Sequence, residues 1–105
     1  MAVHPLVQAK VPEIEALCFK HRVQRLDLFG SATRDDFDPT RSDLDFVVEF
    51  QELSPKHYYD AFWGLLEGLE QLFDRPIDLV VRRALRNPYF IERVEQTKIP
   101  LFHAA

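Results

Sequence analysis

Asp43-Leu44-Asp45 opens the apolar run that ends at Phe50, and it constrains this chain more than any other stretch. Side chains on a strand alternate between faces. Asp43 and Asp45 therefore project to one side, while Leu44, Phe46, Val48 and Phe50 take the other. Two neighbouring carboxylates repel each other and resist desolvation, so a fold gains nothing from the pair unless a cation sits between them. Oxygen donors of this kind suit a hard divalent ion, magnesium above all. The Ser42-Asp43 step also works as a turn or capping device, which accounts for one aspartate but not for two on the same face of a buried strand.

The flanking segments supply the rest of a site. Val23 to Phe29 reads as a strand with Leu26 and Leu28 on one face, closed by Gly30-Ser31. Glycine lets backbone and ligand approach closely, and Ser31 and its neighbours can start a short helix whose N–H groups face an anion. Taken alone, the pair is an ordinary turn. Arg34 stands where a guanidinium reaches phosphate oxygens bidentately, or else forms a surface ion pair with Asp35, Asp36 or Asp38. The acidic loop Asp35 to Ser42 leads into the second strand. Ile77 to Arg82 reads as a third, with Ile77, Leu79 and Val81 on one face and Asp78, Val80 and Arg82 on the other. A lone aspartate is poorly suited to a strand unless its face meets the one carrying Asp43 and Asp45. Three such carboxylates can hold two divalent ions about 4 Å apart and serve an in-line displacement at phosphorus. Backbone N–H groups after Gly30 would hold the distal phosphates. Positioning and charge stabilisation dominate that chemistry, which suits a domain with no obvious nucleophile. The basic cluster Arg82, Arg83 and Arg86 is solvated surface or lies near a triphosphate or an acidic partner.

The remaining segments read as scaffold. Residues 1–10 form a loosely held lead-in or edge segment. Val11 to about Arg22 is helical, with Pro12 in the first turn and Ile14, Leu17 and Cys18 as its buried stripe. His21 fits a solvated place near the helix C-terminus. Ser54 caps and Pro55 begins a long helix to about Phe73, with Tyr58, Phe62, Leu65, Leu66, Leu69 and Leu72 on one stripe. Tyr59 and Trp63 lie beside that stripe, and Gly64 and Gly68 repeat their spacing of four, either for close approach to the sheet or for a docking partner helix. Asn87-Pro88 starts a last helix to about Gln96, and Lys98 to Phe102 forms a short edge strand. A chain of 105 residues fits a single domain. Its net charge of -4 gives no footprint for direct nucleic-acid binding. One cysteine excludes an internal disulfide and a cysteine-built zinc site. No apolar run approaches the roughly 20 residues of a membrane span, and no signal-peptide layout is present, so a cytoplasmic location is expected.

Gly30-Ser31, Arg34, Ser42-Asp43-Leu44-Asp45 and Ile77-Asp78-Leu79-Val80 together resemble the minimal nucleotidyltransferases of the DNA polymerase beta superfamily. The resemblance covers Leu26 to Phe102, with Asp35 standing where the family usually has glycine. It implies an α+β nucleotidyltransferase fold, a small mixed sheet of three or four strands packed against about four helices. It also implies that Gly30 and Ser31, with Arg34 and Ser42, contact the nucleotide, and that Asp43, Asp45 and Asp78 bind Mg2+ and form the catalytic centre. Small members are similar to antitoxins whose partner is a helical HEPN-domain ribonuclease toxin. The implied activity is transfer of AMP from ATP onto a tyrosine of that partner, with Tyr59, Trp63 and the Gly64/Gly68 edge contributing to the partner surface. A chain this short would need its acceptor site supplied from outside.

Other classes make distinct demands. A nucleotidyltransferase for a small acceptor, such as an aminoglycoside, normally brings a further helical domain. A module that neutralises a toxin by docking alone has no reason to bear the electrostatic cost of three clustered carboxylates. A structural metal domain is the third alternative.

Overall fold

Burial on both faces of the two central strands, with Leu26 to Phe29 and Phe46 to Val48 buried in succession, organises this computed structural model, which describes residues 5–30 and 44–104. Ser31, Arg34, Ser42 and Asp43 lie outside the described residues. The elements run α1 (Pro5–Gln8), α2 (Val11–Lys20), β1 (Val23–Phe29), β2 (Leu44–Phe50), α3 (Pro55–Phe73), β3 (Ile77–Val81), α4 (Pro88–Thr97) and β4 (Ile99–His103). A 3-10 turn at Arg82–Ala84 follows β3. The strands form one sheet in the order β3-β2-β1-β4, parallel between β2 and β3 and antiparallel at the other two pairings. This is a four-stranded mixed sheet with helices, the α+β arrangement that the resemblance implies.

Register sorts the side chains by face. Leu26 opposes Val48, and Leu28 opposes Phe46. These four are fully buried together with Val7, Ile14, Cys18, Leu65 and Leu69 from α1, α2 and α3. On the reverse face Asp27 opposes Val47 and Phe29 opposes Asp45. There α4 lays Val94 and Phe90 over Phe29, Val47 and Val80, with the Phe29 and Phe90 rings edge to face at 5.7 Å. Helix α4 is started by Asn87, whose Oδ1 accepts from the N–H groups of Tyr89 and Phe90 at 2.9 and 3.3 Å.

Five sequence readings are corrected or refined. Residues 5–8 are not a loose lead-in but a helical turn whose Val7 is fully buried in the main core. Helix α2 stops at Lys20, because Arg22 adopts a left-handed φ of 57° that ends the helical path. His21 is half-buried rather than solvated, with its ring packed on Gly64. The glycine edge of α3 faces α2 rather than the sheet: a Cβ at Gly64 would overlap the His21 ring, and one at Gly68 would overlap Leu17. Small residues bring α3 close to α2. Ser54 does occupy the N-cap position, but its hydroxyl pairs with His57 Nδ1 at 2.9 Å instead of a backbone N–H.

Candidate active site

Parallel pairing of β2 with β3 places Asp45 directly beside Asp78. Asp45, second in β2, is half-buried; Asp78, second in the edge strand β3, is exposed. Helix α4 covers the middle of this face through Val47 and Val80, and beyond it Asp78 is exposed. Across β1 the partner of Asp45 is Phe29, so the chain reaches Gly30 at the same end of the sheet. Gly30 has a φ of 78°, and a Cβ there would run into Asp45 Oδ2. The glycine is required twice, by its backbone conformation and by the closeness of the carboxylate.

Gly30, Asp45 and Asp78 are thus brought to one end of one face by three different strands or their exits. Asp43, Ser31, Arg34 and Ser42 lie outside the described residues. Among the described residues no three His, Cys, Asp or Glu side chains cluster closely enough to hold a metal ion. Asp45 and Asp78 themselves offer hard oxygen donors, the type that Mg2+ prefers.

The arginines after β3 do not converge on the carboxylates. Arg82 pairs with Glu95 of α4 at 3.4 Å, Arg83 lies over the Tyr58 ring at 4.8 Å, and Arg86 donates to the carbonyls of Arg83 and Leu85. They leave the far end of β3 from Asp78, which favours the solvated-surface or acidic-partner alternatives over a place near a triphosphate. Burial and the nearby Glu15 charge push the Cys18 thiol up to about 12, which keeps it protonated and removes thiolate chemistry.

One charged residue of this face escaped sequence reasoning. Asp27 is 4% exposed, and it accepts from Arg25 Nε at 3.2 Å. The available signal was an Arg-x-Asp spacing on a strand, which puts both side chains on the same face. Leu26 and Leu28 drew attention to the opposite one.

A family model of the nucleotidyltransferase domain matches residues 14–101. The chain belongs to the nucleotidyltransferase domain family. Two proteins of Methanocaldococcus jannaschii, the candidate protein adenylyltransferases MJ0128 and MJ1379, are 34% and 31% identical to it over 80 residues, with 76% of this chain and 78% of each relative covered. A solved structure of a candidate minimal nucleotidyltransferase superposes with a TM-score of 0.74 at 31% identity, over 90% of this chain and 91% of the other. A toxin–antitoxin structure with AMP-PNP gives a TM-score of 0.66 at 23% identity, over 90% of this chain and 73% of the other, a likeness of fold.

The nucleotidyltransferase is accordingly an enzyme of nucleotide transfer, as the spaced Gly-Ser, Asp-Leu-Asp and Ile-Asp-Leu-Val pieces imply. Among its described residues no helix is long and apolar enough to cross a membrane.

Proposed function

We propose that this nucleotidyltransferase moves AMP from ATP onto a tyrosine hydroxyl of a protein partner, a HEPN-domain toxin that the modification silences. The observation that carries the reading is the parallel register that seats Asp45 beside Asp78, at the strand end where Gly30 closes on the same carboxylate. The protein acceptor is supported by the names of the two archaeal relatives. Gly30 and Ser31 would hold the phosphates, Arg34 and Ser42 would complete the nucleotide contacts, and Asp43, Asp45 and Asp78 would hold Mg2+. The donor set fits that ion, since Asp45 and Asp78 offer hard carboxylate oxygens side by side on one sheet face. When bound, Mg2+ would neutralise charge developing on the phosphates. In the transfer, the tyrosine oxygen bonds to the α-phosphorus while the bond to the β-phosphate oxygen breaks, and pyrophosphate leaves. The phenolic proton passes to Asp78, the exposed carboxylate of the pair.

The test is an intact-mass spectrum of the protein encoded beside this chain, co-expressed with it and then with its Asp45→Asn, Asp78→Asn form. An AMP adduct on the neighbour that vanishes with the double variant is the expected result. Absence of an adduct despite magnesium-dependent ATP binding would overturn the protein-acceptor reading and move the acceptor to a small molecule or the activity to docking alone.

A further inference from the structure

The first half of α3 borders a hollow at the opposite end of the sheet from the carboxylates. Leu53, Pro55, Tyr58, Phe62, Trp63 and Arg83, with Tyr59 at the rim, line an open hollow of about 440 Å³. Tyr58 stacks edge-on against Phe50, the last residue of β2, with ring centroids 5.2 Å apart. Phe50 lies five steps along β2 from Asp45, so at ~3.3 Å per residue this border of the hollow stands roughly 16 Å from the carboxylate pair. It is not part of the nucleotide site.

Two properties define what fits there. Tyr59 and Trp63 are 65% and 50% exposed, and their spacing of four makes them an outward ridge of the kind that interlocks with another helix. Trp63 is held by Phe62, edge to face at 5.3 Å, and by Tyr59 at 6.1 Å, so the ridge is already ordered. Arg83, the charged residue among those lining the hollow, rests its guanidinium on the Tyr58 ring at 4.8 Å and makes no ion pair among the described residues. A fixed guanidinium without a carboxylate loses little freedom on receiving one. Trp, Tyr and Arg are also the residue types that dominate binding energy at protein interfaces.

We infer that this hollow anchors an amphipathic helix of the protein acceptor, which inserts a large apolar side chain beside Trp63 and delivers a carboxylate to Arg83. The inference rests on the reading that the acceptor is a protein, and it adds a place where that protein is gripped away from the reacting atoms. Holding the acceptor at one end of the sheet leaves the other end open for its tyrosine to approach Asp78.

Trp63 is the single tryptophan of the chain, so its emission reports directly on the hollow. Purified neighbour-encoded protein titrated into this chain should blue-shift that emission and shield it from acrylamide at least threefold. Trp63→Arg and Arg83→Glu, each checked for fold by circular dichroism, should weaken the complex at least tenfold and leave ATP affinity within twofold. The inference is overturned if the parent forms no complex, if binding leaves Trp63 emission and quenching unchanged, or if both variants bind as tightly as the parent. Sedimentation showing a parent dimer that Trp63→Arg dissociates would also overturn it, because a second copy would then fill the hollow. A complex that shields Trp63 while the partner gains no AMP overturns the transfer reading and leaves the anchoring site standing.

Discussion

A methyl group at Gly30 meets the Asp45 carboxylate, and the φ of 78° is one that side-chain-bearing residues adopt only under strain. The left-handed backbone costs Gly30→Ala about 1–2 kcal/mol. Relieving the overlap displaces the Asp45 carboxylate, the register neighbour of Asp78. Gly30→Ala should therefore lower the melting temperature by several degrees and slow AMP transfer at least tenfold, read by calorimetry and by the rate of adduct formation. Asp78→Asn is the useful contrast. Its side chain is exposed, so stability should change by no more than about 0.5 kcal/mol while transfer is lost. Normal transfer by Gly30→Ala would show that the orientation of Asp45 does not matter to the reaction.

Between elements, the contact of α2 with α3 turns on two glycines, and they are not equivalent. Alanine in place of a mid-helix glycine gains about 1 kcal/mol of helix propensity. At Gly64 the group in the way is the His21 ring, the end of a side chain at the rim of the contact, which can swing outward. Gly64→Ala should leave stability within about 1 kcal/mol of the parent, and it should let the His21 pKa rise toward its ordinary value as the ring re-enters water, as NMR titration would show. At Gly68 the obstacle is the branched end of Leu17, which packs against the main core. Overpacking there costs about 1–3 kcal/mol, so Gly68→Ala should be net destabilising by denaturant titration. The sequence announces both glycines but not their partner, because spacing along α3 says nothing of which helix lies over it. The same limit hid α1: four residues carry no period, and only contact with the core explains the buried Val7. Strands and the α4 cap were legible because alternation and an Asn-Pro start are local signals. The facing of Asp45 and Asp78 followed from parity along two strands, to which the parallel register adds adjacency. Burial of Asp27 did not follow, since it depends on the chain covering that face.

For the molecule as a whole, acid should act in two separable stages. Desolvation, then the neighbouring Lys20 charge, lowers the His21 pKa below its ordinary 6.5 in the folded state. The unfolded chain therefore binds the proton first, and stability falls as pH drops from about 6.5 toward the folded pKa. Glu95 is lowered from 4.5 chiefly by its hydrogen bond with Lys98, 2.7 Å away, with Arg82 adding to it. Its contribution is complete above the unfolded value and disappears as pH falls through the lower folded one. The first stage loosens α2 from α3; the second releases the Arg82–Glu95 tie that holds α4 to the exit of β3, over the cluster of Phe29, Val47 and Val94. Melting temperatures measured from pH 7.5 to 3.5 should thus decline first below 6.5 and again below 4.5. His21→Gln should flatten only the first decline and Glu95→Gln only the second. Salt distinguishes them further, because Glu95 is exposed and its pairs are screened, whereas a desolvation effect on a half-buried ring is not. Raising ionic strength to 0.5 M should shrink the second decline and spare the first. A single decline that neither variant alters would mean that other groups govern acid unfolding.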